Sequence, residues 1–370
     1  MVDALERING LDLLRTLAML LGVALHATLP YMLAAEAIAP PEWVFLLFVS
    51  IHTWRMPLFF MLAGFFGAMS LRRKTIASFC WDRFYRITLP LLLFLPIFQM
   101  QQFVKGLNGD WSDTSLLHLW FLFYLSIFYI MPVTLGQCVP NRVAECFDFF
   151  FRSRVHIFAL IPFLTVASVL GRDLAIFGRV PENITEFELG HFVYGFCFFV
   201  MGWRLFLHRK LLQTFTSLRF VCFSLLTALL FLISVLIVLS ILEFQINNGW
   251  TFWVLNFLSV SATLLTCIGF WGLCHRIMIK PSPIVDFAVE ISYPIYYFHL
   301  IIMLPLLYYF FDNGWAPQAT VSISFVFGLF GSLVIYLIFI RYTPLNWMFN
   351  GYKNSWCQTA KFTFRFNKKN

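Results

Sequence analysis

The chain has 370 residues, of which 60% are hydrophobic, 19% aromatic and only 12% charged. Soluble globular proteins have about 25% charged residues, so this composition excludes an ordinary soluble domain. The net charge of +8 does not require a nucleic-acid partner, because basic residues beside a membrane are attracted to anionic lipids of the inner leaflet. We therefore expect membrane lipids, and no nucleic acid, among the partners.

Apolar runs of about 20 residues recur along the whole chain, which is the pattern of a multi-pass helical membrane protein. The fold class that this predicts is all-α, a polytopic bundle of about ten transmembrane helices. The predicted spans are residues 10–33, 43–69, 87–104, 118–136, 155–171, 189–207, 220–242, 250–272, 284–309 and 319–340. We expect one transmembrane domain over residues 1–345, followed by a basic cytoplasmic tail over 346–370.

The distribution of basic residues predicts the orientation of the bundle. With the N-terminus inside, three of the 26 Lys and Arg residues fall outside (Lys105, Arg172 and Arg179) and Arg55 lies within a span. The other 22 fall on the inner side, as expected for cytoplasmic loops. Both termini are then cytoplasmic.

The N-terminal segment has a second interpretation. Residues 16–33, followed by Ala35-Glu36-Ala37, resemble a signal peptide with a small-residue cleavage site. The apolar run is long for a signal peptide, and acidic residues at positions 3 and 6 dilute its positive start. We favour an uncleaved first span.

The first span carries a polar stripe on one helical face. Asp12, Arg15, Met19, Gly22 and His26 follow helical spacing, so they share that face. His26 is expected deep in the bilayer, where an ionisable group marks a site more often than it does in a soluble core. The alternative is a histidine that only hydrogen-bonds neighbouring helices. A neutral imidazole suits catalysis, because its pKa lies close to neutrality.

Two further ionisable groups are expected at a similar depth. Arg55 lies near the middle of the second span, where its fixed charge can hold a carboxylate or stabilise an oxyanion; a structural ion pair is the alternative. In the ninth span, "ISYPIYYFHL", His299 is predicted about as deep as His26, with Tyr297 in the same stretch. Tyrosine stripes are also common packing elements.

Two shorter motifs flank the spans. Arg83 and Arg86 lie one turn apart before the third span and can clamp a phosphate, although solvated cytoplasmic charge is the default. His118 and Trp120 open the fourth span from the outside, either as interfacial belt residues or as the mouth for an acceptor. The eight cysteines show no zinc or redox spacing, so we predict no metal site.

Together these motifs resemble the acyltransferase-3 superfamily of integral membrane acyltransferases. The similarity includes Leu11-Asp12 followed by Arg15 and, after ten residues, His26; the Arg-x-x-Arg of 83–86; and the closing "SYPIYYFH" of 292–299. Within the superfamily, "WRMPLFFMLAGFF" and "HLWFL" are similar to the glucan biosynthesis protein C branch. That branch is associated with succinyl transfer to osmoregulated periplasmic glucans. Two positions depart from the usual pattern of that branch. Ala63 stands where the family usually has a serine, and His299 stands alone where the branch often has two adjacent histidines.

The resemblance implies an acyltransferase of a plasma membrane, here a bacterial inner membrane. It would move a succinyl or acetyl group from cytoplasmic acyl-CoA to a hydroxyl of an extracytoplasmic carbohydrate. Acyl-CoA is then a co-substrate, no cofactor is tightly bound, and a homodimer is left open.

The same resemblance suggests a role for each candidate residue. His26, Arg55, Asp12 and Arg15 would be catalytic, and Arg15, Arg83 and Arg86 would bind the phosphates of the donor. His118, Trp120, Tyr297 and His299 would line the acceptor side. The alternatives are a transporter or flippase for an anionic sugar or lipid-linked substrate and a purely structural or receptor bundle.

Overall fold

The computed structural model describes residues 8–34, 39–104, 116–134, 148–171, 174–175, 189–242, 249–278 and 280–352. Within these ranges the regular structure is helical, without a β-strand. The α-helices are α1 (Asn9–His26), α2 (Leu29–Leu33), α3 (Glu42–Leu71), α4 (Ile76–Arg83), α5 (Leu89–Val104), α6 (Trp120–Thr134), α7 (Ile161–Leu170), α8 (Leu189–Leu207), α9 (Lys210–Phe215), α10 (Leu218–Ile241), α11 (Trp250–Ile277), α12 (Pro283–Asp312), α13 (Pro317–Ile335) and α14 (Leu345–Asn350).

In the described part of the chain, non-α turns occur at four helix ends. Two are π-helical, Phe84–Thr88 before α5 and Tyr336–Ile340 after α13, and two are 3₁₀ turns, Leu117–Leu119 and His156–Leu160. Single π turns inside or beside α-helices are often found at functional sites.

A helix occupies each of the ten predicted spans. Six helical segments among the described residues are long and apolar enough to cross a membrane, namely α3, α8, α10, α11, α12 and the continuous run Pro317–Ile340. The apolar segments Trp120–Thr134 and His156–Leu170 are shorter. The protein is therefore a multi-pass helical membrane protein. The count of ten crossings and the cytoplasmic termini stay predictions.

The first predicted span is not one helix. α1 ends at His26, residues 27 and 28 form a turn, and α2 begins at Leu29 with a proline in its first turn. Proline has no amide proton and its ring clashes with the preceding turn, so Pro30 is accommodated at the start of a new helix rather than inside α1. His26 is thereby placed at the C-terminal end of α1.

Several sequence predictions fall outside the described residues, namely Lys105, Arg172, Arg179, the Ala35-Glu36-Ala37 segment and residues 353–370 of the predicted tail. The first residues of that tail form α14, in which Asn346 and Phe349 are buried. The beginning of the tail is thus packed against protein.

The chain divides into two compact units. The first comprises Met1–Leu14, His52–Leu91 and Gly106–Lys280, and the second comprises Arg15–Ile51, Leu92–Lys105 and Pro281–Asn370. Helices α1, α3 and α5 each begin in one unit and end in the other.

The first unit is built on a close crossing of α3 and α8. A Cβ atom added to Gly64 would overlap the carbonyl of Phe199, and one added to Gly202 would overlap the carbonyl of Met61. Small residues let membrane helices approach until their backbones touch. These two glycines therefore fix the distance between the two helices.

A proline inside α3 leaves a backbone carbonyl to be satisfied by another helix. Pro57 has no amide proton, so the carbonyl of Thr53, four residues earlier, lacks its usual helical donor. The hydroxyl of Thr263 on α11 lies within hydrogen-bond distance of this carbonyl, at 3.1 Å, and of the Ser259 carbonyl in its own helix, at 2.9 Å. Neighbouring helices commonly satisfy such carbonyls in membrane proteins, and here the Thr263 hydroxyl brings α11 into contact with α3 near Pro57.

The second unit packs α12 against α13 and holds α14 through a polar network. The buried Tyr336 hydroxyl donates to Glu290 Oε1 over 2.6 Å, and Arg341 Nε donates to the same oxygen over 3.0 Å. Asn346 of α14 donates to the carbonyl of Arg341 over 2.9 Å. These bonds join α12, the π turn and α14.

Candidate functional site

The polar stripe of the first span is realised on α1. Asp12 and His26 are buried, with 7% and 9% of their surfaces exposed, and Arg15 is partly buried. His26 lies eleven positions after Arg15, a rise of about 16 Å along the helix at 1.5 Å per residue. The helix therefore carries ionisable groups at two levels, one near each end.

His26 and His299 are brought together in the second unit. His26 Nδ1 lies 2.7 Å from His299 Nε2, and the two rings are nearly parallel, with centroids 5.0 Å apart. The residues are 273 positions apart in sequence and lie on α1 and α12. We call these two side chains the histidine pair.

The proton positions of the pair follow from a third group. His299 Nδ1 lies 2.8 Å from the carbonyl oxygen of Ile295. A carbonyl only accepts, so Nδ1 must carry the proton, and in neutral His299 the other nitrogen, Nε2, is then an acceptor. His26 Nδ1 donates to it, which leaves the lone pair of neutral His26 on Nε2. The carbonyl of Ile295 thus sets the tautomers of both rings.

Apolar side chains flank the pair on both helices. Val23 of α1 and Ala27 of the turn that follows it pack in one buried cluster with Ile295, Leu300 and Met303 of α12. In such surroundings a hydrogen bond is stronger than in water, and an unsatisfied polar group costs more. The packing therefore favours a fixed geometry for the pair.

Tyr297 faces a different side of α12 from His299. Residues two apart on a helix do not share a face. Its fully buried ring packs against Phe94 and Phe349, with centroids 5.1 and 5.3 Å apart, and its hydroxyl lies 3.5 Å from that of Tyr293. The structure gives Tyr297 a packing contact in this aromatic cluster; its predicted contact with an acceptor stays a prediction.

Arg83 is held by neighbours of the first unit. Its guanidinium lies 2.9 Å from Asp82 and 3.2 Å from the Ser70 hydroxyl, and it covers the rings of Phe79 and Tyr129 at 5.4 and 5.0 Å. Arg83 ends α4, whereas Arg86 lies in the π turn that follows. Because the π turn has a different helical pitch, Arg83 and Arg86 do not form a regular α-helical i, i+3 pair.

Asp82 partly neutralises this arginine motif. Burial raises the pKa of Asp82, but Arg83, Lys74 and Arg86 act against burial and hold the pKa below its ordinary value. Lys74 Nζ lies 2.9 Å from the same carboxylate. The carboxylate therefore stays charged, and three cations share one anion.

A small cavity of about 60 Å³ lies in the first unit and has Trp120 in its wall. This volume has room for a few water molecules or one small polar group. His52, Pro57, His191 and Tyr194 also line it, while His118, in the 3₁₀ turn before α6, is buried.

The sequence interpretation missed His52 and His191 as candidates. The available signal was the spacing of His52 and Arg55 in "HTWR", which places both on one face of α3. Arg55 itself is buried, with 7% of its surface exposed. His191 is near the start of α8, beyond a segment without clear patterning.

Comparison with known proteins identifies the family. A family model described as an acyltransferase domain matches residues 8–341. The chain belongs to the acyltransferase-3 family. This membership confirms the resemblance carried by Arg15, His26, the Arg83–Arg86 motif and the segment that ends at His299.

Several similar relatives are named glucans biosynthesis protein C. Glucans biosynthesis protein C of Salmonella gallinarum is 25% identical over an alignment of 381 positions. The alignment covers 92% of this chain and 94% of the relative. The proteins of the same name from Shigella dysenteriae serotype 1 and Escherichia coli O9:H4 are each 25% identical over 390 residues, which cover 94% of this chain and 95% of theirs. No solved structure matches the chain.

Proposed function

We propose that the protein is an integral membrane O-acyltransferase that moves an acyl group from cytoplasmic acyl-CoA to a hydroxyl of an extracytoplasmic carbohydrate. The name of the relatives, glucans biosynthesis protein C, favours a glucan as the acceptor. A succinyl or acetyl donor group and a periplasmic location of the glucan are what the family resemblance implies. The observation that carries the proposal is the buried histidine pair, with His26 Nδ1 2.7 Å from His299 Nε2.

In the proposed reaction His26 is the general base. Its Nε2 takes the proton of the acceptor hydroxyl while that oxygen attacks the thioester carbonyl. The new C–O bond forms, the C–S bond breaks, and His26 returns the proton to the departing thiolate of CoA. His299 Nε2 accepts the hydrogen bond from the Nδ1–H group of His26 throughout, so His299 holds the His26 ring in the required tautomer.

The same lone pair also permits a two-step route, in which His26 Nε2 first carries the acyl group. An acyl-histidine would then be attacked by the acceptor. Mass analysis of protein quenched after exposure to acyl-CoA alone separates the two routes, since only the second adds the acyl mass to the peptide containing His26.

Charged groups complete the proposal. Arg55 would stabilise the oxyanion, or hold the free carboxylate of a succinyl group. Arg15, Arg83 and Arg86 would contact the phosphates of the donor, with Asp12 orienting Arg15.

The acceptor side is proposed at the cavity beside Trp120. An aromatic ring can pack against the face of a sugar, and histidines can form hydrogen bonds with the hydroxyl groups of the sugar. A volume of about 60 Å³ admits one hydroxyl-bearing arm rather than a whole glycan. His118, Tyr297 and His299 remain the other predicted acceptor residues.

The experiment that tests the function is a product analysis. Purified protein is incubated with a panel of acyl-CoAs and membrane-derived glycans, and both the glycan masses and released CoA are measured. We expect one glycan class to gain one acyl mass in proportion to the CoA released. A transporter or flippase would leave every mass unchanged, and that result would refute the acyltransferase.

A further inference from the structure

A large basic cavity lies in the first unit, and none of the residues given a role above lines it. Its volume is about 1100 Å³, and it is formed by the segment before α7, the junction of α8 with α9, and the end of α11. We call it the basic cavity. Its lining residues with charged or hydroxyl side chains, apart from His208, are Arg152, Ser153, Arg154, Arg209, Lys210, Thr214, Thr216, Ser217 and Arg276.

The charges of the basic cavity have one sign. Five of its lining residues are Arg or Lys, and none of the lining residues is acidic. Arginine presents a planar fork of donors that matches phosphate oxygens in a bidentate way, and hydroxyl side chains add further donors. This donor set suits an anion with several oxygens.

Three of the arginines are held in place by protein contacts. The guanidinium of Arg209 covers the ring of Phe206 at 4.9 Å, and that of Arg154 covers Phe220 at 5.6 Å. Arg276 donates to the backbone carbonyl of Thr216 over 3.3 Å. None of these contacts neutralises the charge, so the cations are positioned and remain available to an anion.

The two walls of the basic cavity are tied together by one carboxylate. Asp148 Oδ1 accepts from Arg204 over 3.1 Å and from His208 over 2.9 Å. The His208 ring also stacks on Phe151, with an interplanar angle of 15°. Asp148 is thereby used in a structural ion pair, and the segment of Arg152 and Arg154 is fixed against the end of α8.

From this arrangement we infer that the basic cavity binds the phosphate groups of a multiply phosphorylated ligand. The volume is that of a small-molecule site, larger than a single phosphate needs. Cytoplasmic loops do collect Lys and Arg for topology alone. That role does not require five cations from three separate segments to surround one cavity, with aromatic rings fixing their planes.

Two sources offer this phosphate chemistry, a soluble nucleotide and the headgroup of an anionic phospholipid. The soluble probe is coenzyme A, which carries three phosphates, with inorganic pyrophosphate as competitor. The lipid probe is phosphatidic acid, presented in phosphatidylcholine nanodiscs. Binding of coenzyme A is measured by calorimetry on detergent-purified protein, and retained lipid by native mass spectrometry.

The test variant is Arg152→Gln with Lys210→Gln, because both side chains are exposed and neither ties helices together. The matched control is Arg72→Gln with Lys280→Gln, which removes the same charge at exposed positions outside the cavity. A third variant, Arg152→Lys with Lys210→Arg, keeps the charge. All variants are compared only as monodisperse protein after size-exclusion chromatography.

We expect wild type to bind at least one probe, with pyrophosphate competing against coenzyme A. The test variant should bind about tenfold more weakly or worse for each cation removed, the usual effect of losing a charge-assisted hydrogen bond. The control and the charge-preserving variant should stay close to wild type. A response to coenzyme A alone assigns a nucleotide, and a response to phosphatidic acid alone assigns a lipid.

Two results would overturn the inference. One is the absence of binding of either probe to wild type. The other is a test variant that binds the probes no more weakly than the control variant, whether both lose affinity or neither does, which leaves only topology charges. Neither measurement involves acyl transfer, so the inference can fail while the proposed function stands, and the reverse also holds.

Discussion

His26 and His299 lie 273 positions apart in sequence, yet they share one hydrogen bond. The carbonyl of Ile295 fixes the proton of His299, and His299 in turn fixes that of His26. Each ring alone is an ordinary buried histidine. Together they form a hydrogen-bonded chain that leaves the lone pair of neutral His26 on Nε2, the atom that acts as the base in the proposed mechanism.

In the proposed mechanism this hydrogen bond gives His299 the role of a positioning residue, and that role can be tested. His299→Ala should lower kcat by about 10²-fold or more and leave KM nearly unchanged, since proton transfer by a positioned group contributes 10²–10⁴-fold. His299→Gln should recover part of kcat, because its amide oxygen can accept from His26 Nδ1. Steady-state kinetics on matched amounts of folded protein measures both.

A purely structural His299 would behave differently. The alanine variant would then lose folded protein, and the activity of each folded molecule would stay at the wild-type level. Thermal stability of the two variants, measured alongside the kinetics, separates these cases.

The sequence was informative about the members of the pair but not about their bond. Helical spacing and depth alone selected His26 and His299. The hydrogen bond and the tautomers depend on the rotation of α1 and α12 about their axes, which local sequence does not determine. His52 and His191 were missed for the same reason, since they meet only in a cavity between helices.

Elements were predicted well wherever an apolar run is bounded by polar residues. The span 189–207 coincides with α8. The turn after His26 and the two π turns were not predicted, because one proline or one shifted hydrogen bond changes the backbone without changing composition. These irregular turns place His26 at a helix end and put Arg86 in a π turn after the helix that Arg83 ends.

The crossing of α3 with α8 is an element-scale feature with a clear test. Gly202→Ala should lower the free energy of unfolding by about 1–3 kcal/mol, the usual effect of overpacking, because the new Cβ meets the carbonyl of Met61. Gly249→Ala is the control, since nothing lies within 4 Å of its added Cβ. Thermal unfolding in detergent measures both.

A crossing that tolerates Gly202→Ala as well as the control would contradict the close approach of α3 and α8. The same change should also perturb the cavity beside Trp120, because α3 and α8 both contribute to its wall. If α3 and α8 did not touch at Gly202, a loss of stability in the Gly202→Ala variant would have to come from another part of the molecule.

For the whole molecule, family membership and six long apolar helices establish a multi-pass membrane acyltransferase-type protein. Orientation rests on the distribution of basic residues. If that distribution acts as expected, both termini and the basic cavity face the cytoplasm, which is where acyl-CoA and anionic inner-leaflet lipids are found.

Orientation is tested by accessibility labelling in intact cells. Single cysteines at positions 72 and 280 should react with an impermeant thiol reagent only after the cells are opened, whereas one at position 314 should react in intact cells. The background is a chain in which the native cysteines are replaced. Labelling of position 72 in intact cells would contradict the predicted cytoplasmic loop after the second span.

The most direct measurement of the central claim is acyl transfer by wild type, His26→Ala and His275→Ala, normalised to folded protein. His275 is a half-buried histidine of α11 outside the proposed site, so its loss controls for removing an imidazole from a membrane helix. We predict that His26→Ala loses about 10²-fold or more of kcat while His275→Ala keeps it. Turnover by folded His26→Ala close to that of wild type would contradict the assignment of the base.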